Sequence, residues 1–187
     1  REYSVPANST ILEAARYAGI EIPTLCYLKD INEIGACRLC LVEVKGARGL
    51  CAACVYPVNE GMEIQTNTPA IRKARKTNLE LVLSAHKKKC LTCVRSTSCE
   101  LQKLCLEYGV DEDHFVGNNN VYPIDDSTPY IVRDNEKCIL CRRCVAACKN
   151  MQQIGVIGAN DRGFDTHIAS AFEKMLDQTS CIGCGQC

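Results

Sequence analysis

The chain has 187 residues, of which 16 are cysteine, and its 22 basic and 22 acidic side chains give a formal net charge of zero. A neutral chain has no overall field that would attract nucleic acid or an anionic membrane surface. No apolar stretch approaches the roughly 20 residues that a membrane-spanning helix needs. The cysteine content therefore decides the class, which is either a disulfide scaffold or a metal-binding protein.

The spacing of the cysteines favours metal ligation over disulfide bonds. Twelve of them stand in C-x2-C steps, a spacing typical of metal sites. Reduced thiols at this density indicate a cytoplasmic protein whose cysteines are protected by bound metal. Zinc is the alternative metal, but C-x2-C-x2-C runs suit a four-iron cluster better than the paired ligands of a zinc site.

Residues 1–77 are predicted to form a small α+β unit. Thr10 and Glu13 make a capping box that begins a helix, and Gly19 supplies its left-handed end. Three segments have the character of strands: 1–6, 41–45 and 62–66. Because the chain does not begin with Met, we expect the hairpin partner of the first of these strands to lie before Arg1.

A second helix is predicted to begin after Thr68, with Pro69 as its first residue, and to continue to His86. Its apolar spacing places His86 on the buried face. Basic residues occupy the first half of this helix: Arg72, Lys73, Arg75 and Lys76. A solvated helix face explains them, and the alternative is a docking patch for an acidic redox partner.

The first candidate ligand set belongs to the α+β unit. Its members are Cys26, Cys37, Cys40 and Cys54. This set suits a [2Fe-2S] cluster, which takes two thiolates on each iron. Gly35 lets backbone amides approach the negatively charged sulfides. Cys51 competes with Cys54 for the fourth position.

The second candidate set is one thiolate short of a four-iron site. Its members are His86, Cys90, Cys93 and Cys99. The missing thiolate favours His86 as the fourth ligand, and a neutral imidazole in place of a thiolate raises the potential of a cluster. Cys105 is interpreted as a small buried hydrophobic residue.

The last seven cysteines form two similar runs, which indicate an internal repeat. The runs are Cys138, Cys141, Cys144 and Cys148, then Cys181, Cys184 and Cys187. In the bacterial two-cluster ferredoxin pattern, the fourth cysteine of a run binds the other cluster. Cys148 is therefore assigned to the second run, and the first run needs a ligand four positions beyond Cys187. We accordingly expect the chain to be part of a longer protein.

Several of these motifs resemble those of a known family. The segments CYLKDINEIGACRLCLVEVKG, CAACVYPVNEGMEIQTNTP, KCILCRRCVAAC and SCIGCGQC are similar to the N-terminal half of [FeFe] hydrogenase catalytic subunits of the NAD(P)-reducing or electron-bifurcating type. The large subunit of complex I shares the first two domains. The resemblance implies a β-grasp fold for the first domain, Cys54 rather than Cys51 as ligand, and one histidine with three cysteines in the second set.

The resulting α+β architecture has four parts. They are a [2Fe-2S] β-grasp domain at 1–77, a small helical domain with the histidine-ligated [4Fe-4S] cluster at 78–116, a linker at 117–129, and a two-cluster [4Fe-4S] ferredoxin-like domain at 130–187. One [2Fe-2S] and three [4Fe-4S] clusters are expected. His114 and His167 lie outside the ligand runs and are interpreted as ordinary polar residues.

The motifs predict an electron relay rather than a catalytic site. The residues offer no nucleophile, base or substrate pocket, so no catalytic residue is assigned within 1–187. The resemblance implies that the relay feeds an H-cluster domain outside this chain, which interconverts protons and H2. The implied partners are a diaphorase-type flavin/NAD(P) subunit, a small [2Fe-2S] subunit and soluble ferredoxin.

Two other functions remain open. The same relay modules precede the pterin domain of NAD-dependent formate dehydrogenases, and they also occur in complex I-like large subunits. A stand-alone ferredoxin-like carrier is less consistent with the residues, because the first of the two final runs lacks its fourth ligand within the chain.

Overall fold

The computed structural model describes residues 1–115 and 120–187, and these ranges contain four α-helices and seven β-strands. The strands make one three-stranded antiparallel sheet and two separate two-stranded antiparallel ribbons. This mixture of helices and antiparallel strands agrees with the predicted α+β class. Within the described ranges, every helix is too short or too polar to cross a membrane.

The first sheet and its helix are built as the sequence predicts, although with shorter strands. Helix α1 (Ile11–Tyr17) packs on strands β1 (Leu41–Val44), β2 (Cys51–Ala52) and β3 (Ile64–Gln65), and β1 lies in the centre. The predicted strands at 41–45 and 62–66 correspond to β1 and β3. Strand β2 was not predicted, because two residues are too few to show an alternating pattern.

The capping box of α1 is confirmed. The Thr10 hydroxyl accepts a hydrogen bond from the Glu13 amide at 3.3 Å, and the Glu13 carboxylate accepts one from the Thr10 amide at 2.9 Å. Ile11 and Leu12 then turn into the core, where each is at most 1% exposed. The cap thus sets the start of the helix so that its apolar face meets the sheet.

The predicted strand at 1–6 is not formed among the described residues, which do not include the partner expected before Arg1. Residues 1–9 form no strand, and the Val58 amide donates to the Ser9 carbonyl at 3.0 Å. An alternating segment becomes a strand only when a neighbouring strand pairs with its backbone. Here the paired backbone begins at Ser9 and continues through Ile11, whose amide donates to the Tyr56 carbonyl at 2.9 Å.

Helix α2 (Pro69–Ser84) begins as predicted, with the Thr68 hydroxyl accepting from the Ile71 amide at 3.3 Å. It ends at Ser84, so His86 lies just beyond the helix and not on its last turn. The helix runs without a break across the predicted domain boundary between residues 77 and 78. Its second half packs on helix α3 (Glu100–Glu107) through four leucines: Leu79, Leu83, Leu101 and Leu104.

Arg75 is buried. It therefore belongs neither to a solvated helix face nor to a docking patch for an acidic redox partner, which are the two interpretations of the basic residues in α2. It is 3% exposed, and its guanidinium donates to the Leu41 carbonyl at 2.9 Å, the Thr66 carbonyl at 3.1 Å and the Tyr108 hydroxyl at 3.0 Å. Arg75 therefore joins α2 to the sheet and to the end of α3. The sequence pattern did not indicate this, because the acceptors are backbone carbonyls distant in sequence.

We expect Arg75→Leu to lower the free energy of unfolding by about 3 kcal/mol, because it removes the guanidinium donors from the buried Leu41 carbonyl and the partly buried Thr66 carbonyl. Guanidinium denaturation of the metal-free protein measures this change. Arg75→Lys should restore little of the stability, since an ammonium group lacks the planar fork. The matched control is Arg72→Leu on the exposed face of the same helix, and equal effects of Arg72→Leu and Arg75→Leu would contradict the assignment.

The last part of the chain carries two ribbons and a short helix. These elements are β4 (Asp125–Thr128), β5 (Ile131–Arg133), α4 (Arg143–Ala146), a π-helical turn (Ala147–Met151), β6 (Ile157–Asn160) and β7 (His167–Ser170). Strand β4 pairs with β5, and β6 pairs with β7. A small core of Ile157, Ile168 and Leu176 lies beside this part's cysteines.

The predicted linker at 117–129 is only partly a linker. Residues 117–119, and Val116 at the predicted end of the second domain, lie outside the described residues. Within the rest, β4 occupies Asp125–Thr128. Its polar residues resemble a turn in sequence, but Asp125 is buried, lies 3.7 Å from the Arg133 guanidinium, and accepts from the Leu176 amide at 3.1 Å.

Candidate metal centres

The four cysteines of the first set come together as two pairs. The Cys37 amide donates to Cys26 Sγ at 3.4 Å, and Cys40 Sγ lies 3.3 Å from Cys54 Sγ. Cys26, Cys40 and Cys54 are each 1% exposed. Cys51 is half-buried, and its thiol lies 3.7 Å from the Gly49 carbonyl. The pairing therefore includes Cys54 and leaves Cys51 outside.

The acidity of these thiols follows the pairing. A side-chain hydrogen bond with Cys26 lowers the pKa of Cys37, and one with Cys54 lowers the pKa of Cys40. The same contacts raise the pKa of Cys26 and Cys54, and burial raises it further. In each pair one thiol is thus the easier to deprotonate, and the thiolate is the form in which a cysteine binds metal.

This arrangement fits a two-iron cluster. Within residues 1–115 and 120–187, Cys, His, Asp and Glu side chains nowhere gather in a group of three or more placed to hold a metal ion, and this holds for all four predicted ligand sets. A two-iron cluster places two thiolates on each iron, so two thiol pairs in one buried region suit it. The Leu25 amide also donates to Cys37 Sγ at 3.4 Å, a contact that stabilises negative charge on sulfur.

The second set lies at one end of the α2–α3 helix pair. Arg75, early in α2, reaches Tyr108 just after α3, so the two helices run antiparallel. The end of α2 and the start of α3 therefore meet at the opposite end. His86 follows α2, Cys90 and Cys93 lie on a short turn of 3-10 helix and just after it, and Cys99 is the N-cap residue of α3.

His86 has two properties expected of the candidate ligand. Its Nδ1 atom is buried and has no hydrogen-bond partner among the described residues. Burial also lowers the pKa of His86, so the ring is neutral at physiological pH and offers a free lone pair. A buried acceptor without a partner is costly, and a metal ion would satisfy it.

Cys105 lies close to the second set but packs in the leucine core. It is half-buried rather than fully buried, and it contacts the cluster of leucines between α2 and α3. Burial, then Glu112, Cys99 and Cys90, raise the pKa of Cys105 to about 11. Cys105 therefore stays protonated, which suits the predicted role as a small packing residue.

The two final runs share one backbone conformation. In each run, the residues two and four positions after the first cysteine take left-handed backbone angles: Leu140 (φ 54°), Arg142 (φ 59°), Gly183 (φ 67°) and Gly185 (φ 73°). The Leu140 amide donates to Cys138 Sγ at 3.3 Å, and the Gly183 amide donates to Cys181 Sγ at 3.5 Å. Such turns aim amides at bound anions and iron–sulfur groups. The two runs therefore resemble each other in backbone conformation as well as in cysteine spacing.

The members of the fourth set line one cavity. Cys148 lies in the π-helical turn that follows α4, and the cavity wall includes Cys148, Cys181, Cys184 and Cys187. Cys144 from the third set also lines it. Burial and the charges of Cys138, Cys141 and Cys187 raise the pKa of Cys144 to about 11. Thiolates crowded in this way repel one another, and a cationic metal centre would offset the repulsion.

The two remaining histidines differ in environment. His114 is exposed and contacts Phe115 edge to face. His167 is 8% exposed, stacks on Tyr122, and lies 3.0 Å from both the Asp165 carbonyl and the Glu173 carboxylate. Burial alone lowers the pKa of His167, but these two acceptors raise it above the ordinary value.

Sequence reasoning missed two residues that connect the ligand sets. Asn32 donates from one side-chain amide to the Cys26 and Cys141 carbonyls, and Arg143 contacts Tyr27 and Glu100. Asn32 stands in a segment with the composition of a turn, and Arg143 stands beside a second arginine. The local sequence carried no pattern that marks either of them, because their partners are distant along the chain.

Comparison with known families finds two matching regions in the chain. The family described as "2Fe-2S iron-sulfur cluster binding domain" matches residues 1–69. The family described as "NADH-ubiquinone oxidoreductase-G iron-sulfur binding region" matches residues 75–114. These matches cover the first and second ligand sets.

Several characterised proteins are similar over nearly the whole chain. NADP-reducing hydrogenase subunit HndD of Solidesulfovibrio fructosivorans is 44% identical over 98% of this chain. An NADH-quinone oxidoreductase subunit of Rhizobium meliloti (strain 1021) is 38% identical over 98% of it. The chain spans only 32% and 21% of the length of these two relatives.

A solved structure shares the fold. The crystal structure of NAD+-reducing [NiFe]-hydrogenase in the H2-reduced state superposes with a TM-score of 0.87 and is 30% identical. The match covers 95% of this chain and 75% of that one.

Proposed function

This chain belongs to the iron–sulfur module family shared by NADP-reducing hydrogenase and NADH-quinone oxidoreductase, and from that premise we propose that it conducts electrons through four clusters. It is an iron–sulfur electron-transfer module and a component of an oxidoreductase. The number of clusters, their ligands and the enzyme that they serve are our proposals. The observation that carries the proposal is the pairing of Cys26 with Cys37 and of Cys40 with Cys54.

We assign the ligands as four sets. The [2Fe-2S] cluster takes Cys26, Cys37, Cys40 and Cys54, and the first [4Fe-4S] cluster takes His86, Cys90, Cys93 and Cys99. The remaining two [4Fe-4S] clusters take Cys138, Cys141 and Cys144 with a ligand beyond residue 187, and Cys148 with Cys181, Cys184 and Cys187. The αL turns of the last two runs and the cavity around the final four cysteines support this assignment.

The proposed domains follow from the ligand sets. We propose a β-grasp domain at 1–77, a small helical domain at 78–116 and a two-cluster ferredoxin-like domain at 130–187, joined by the segment 117–129. Because α2 crosses the first boundary, the first two domains share a helix. The position of the first ligand set is therefore linked through α2 to the position of the second.

The residues of this chain prepare each site rather than perform bond chemistry. When bound, the clusters supply reversible one-electron transfer. The side chains exclude water around Cys26, Cys40 and Cys54, and backbone amides stabilise negative charge on sulfur. His86 presents a neutral imidazole nitrogen, which makes its site less negative than a site of four thiolates. No catalytic residue is assigned within the chain.

We propose that the enzyme is an NAD(P)-linked [FeFe] hydrogenase and that the relay feeds its H-cluster. The 44% identity to an NADP-reducing hydrogenase subunit supports the hydrogenase assignment. The [FeFe] type rests on motif resemblance, since the similar solved structure is a [NiFe]-hydrogenase. The proposed partners are a diaphorase-type flavin/NAD(P) subunit, a small [2Fe-2S] subunit and ferredoxin, in the cytoplasm.

A second function has specific support. Residues 75–114 match the NADH-ubiquinone oxidoreductase-G iron–sulfur binding region, and a subunit of an NADH-quinone oxidoreductase is 38% identical to this chain. A role in an NADH-quinone oxidoreductase would use the same clusters and a quinone-linked acceptor. Hydrogen-dependent reduction of NAD(P) by the purified complex would favour the hydrogenase, and NADH-dependent reduction of quinone would favour the alternative.

We expect a protein that extends from residue 1 just past the ligand expected beyond Cys187, purified without oxygen, to contain about 14 iron and 14 sulfide, from one two-iron and three four-iron clusters. Metal and acid-labile sulfide analysis measures both. Electron paramagnetic resonance after dithionite reduction should show two-iron and four-iron signals. Zinc as the main metal, or a protein without iron, would refute the proposed function.

A further inference from the structure

Asn32 closes a tight turn and is 3% exposed. In this turn the Asn32 amide donates to the Leu28 carbonyl at 2.8 Å, and the Leu28 amide donates to the Asn32 carbonyl at 3.0 Å. Asp30 takes φ 61° at the tip. The turn therefore holds the Asn32 side chain inward, where a buried amide requires hydrogen-bond partners.

The partners of the Asn32 side chain belong to two different ligand sets. Its Nδ2 atom donates to the Cys26 carbonyl at 2.8 Å and to the Cys141 carbonyl at 3.0 Å. A side-chain amide has two N–H donors, and both are used here. A path made of covalent bonds and two hydrogen bonds thus leads from the Cys26 sulfur to the Cys141 sulfur.

Arg143 adds further contacts to the same junction. Its guanidinium donates to the Tyr27 carbonyl at 3.0 Å and lies 3.4 Å from the Glu100 carboxylate. Tyr27 follows Cys26, and Glu100 follows Cys99. One side chain at the start of α4, between two cysteines of the third set, therefore contacts residues next to ligands of the first and second sets.

A further contact joins the third set to the second. The Lys87 amide donates to the Glu136 carbonyl at 2.8 Å, and the Lys87 ammonium pairs with the Glu136 carboxylate. Apolar residues fill the neighbouring space, among them Leu25, Leu39 and Ile139. The contact from Asn32 to Cys26 is buried and those to Cys141 and from Arg143 to Tyr27 are partly buried, so the junction links the three ligand segments through several contacts.

We propose that Asn32 is a positioning residue that, together with Arg143, couples the first and third ligand sets so that an electron passes directly between them. The proposal deepens the proposed function and rests on its ligand assignment. The step is a one-electron transfer in which iron held by one set is oxidised and iron held by the other is reduced. No bond is broken and no proton moves, and dithionite or a reduced electron carrier supplies the electron.

The decisive variant is Asn32→Leu, which keeps the size of the side chain and removes both hydrogen bonds. In the anaerobically purified full-length protein, we expect unchanged iron content and midpoint potentials. We expect the electron paramagnetic resonance signal of the two-iron cluster to saturate at lower microwave power. The reason is that the paramagnetic centre of the third set then enhances the spin relaxation of the two-iron cluster less strongly. Freeze-quench spectroscopy after mixing with dithionite should show that electron transfer between the two sets is slowed by about tenfold or more. Small misplacements of reacting groups in enzymes have effects at least this large.

The matched control is Asn78→Leu. Asn78 Nδ2 also donates to a carbonyl of a ligand loop, that of Arg38 at 2.9 Å, but this contact stays within the first set. Microwave saturation and transfer rate should match the wild type in the control. A second variant, Arg143→Gln, should slow the transfer by weakening the same junction.

Unchanged saturation and transfer rate in Asn32→Leu would overturn the proposal. The wild-type protein provides a test that does not depend on folding of the variant. Its two-iron signal must relax faster when the third set is reduced, and the absence of that enhancement would also overturn the proposal. A wild-type protein without iron would instead overturn the proposed function, so the two failures are distinguishable.

Discussion

Replacing Cys54 with alanine is expected to abolish the two-iron cluster, whereas replacing Cys51 is expected to leave it intact. Cys54 Sγ lies 3.3 Å from Cys40 Sγ, and Cys54 is 1% exposed. Without Cys54, one iron of the proposed cluster would keep a single thiolate. The Cys51 thiol is turned toward the Gly49 carbonyl.

Metal analysis and spectroscopy of the full-length protein measure this result. Cys54→Ala should contain about two iron atoms fewer than the wild type and lose the two-iron signal after dithionite reduction. Cys51→Ala removes a thiol of the same strand–turn segment and serves as the control. If Cys51→Ala loses the cluster and Cys54→Ala keeps it, the two cysteines exchange roles.

Replacing His86 with cysteine is expected to retain the four-iron cluster and to lower its midpoint potential, by about 100 mV or more if the effect approaches that of histidine in other clusters. A thiolate adds a negative charge that the neutral imidazole does not carry, and negative charge disfavours reduction. The buried Nδ1 atom of His86, without a partner among the described residues, marks the nitrogen that we expect to bind iron.

A redox titration followed by electron paramagnetic resonance measures the potential. His114→Cys is the control, because it adds a cysteine at an exposed position of the same region and should leave every potential unchanged. His86→Ala should destabilise the four-iron cluster and lower the iron content. An unchanged potential in His86→Cys would reassign His86 to core packing.

The local parts of the fold could be predicted from sequence because their determinants are adjacent. The capping box of α1 joins residues three apart, and the proline start of α2 depends on two neighbours. The end of α2 could not be predicted as well, since the apolar spacing continues to His86 but the helix stops at Ser84. Residues 1–6 form no strand here, because a strand needs a paired backbone and the partner expected for this segment lies before Arg1.

The candidate site was likewise predictable from the sequence only in part. The spacing of the last two runs suggested a repeat, and both runs take left-handed turns at equivalent positions. The choice between Cys51 and Cys54 could not be made from spacing, because both stand at the ends of one C-x2-C step. The tertiary structure brings Cys54 to Cys40 across the sheet.

The sequence by itself indicated the chemistry of this protein, since thiols at short intervals are typical of iron–sulfur ligation. Tertiary structure alone decided how the ligand sets are joined. Arg75, Asn32 and Arg143 bond to backbone carbonyls, and every residue offers such a carbonyl. Only the folded positions of distant segments select the carbonyl that each side chain reaches.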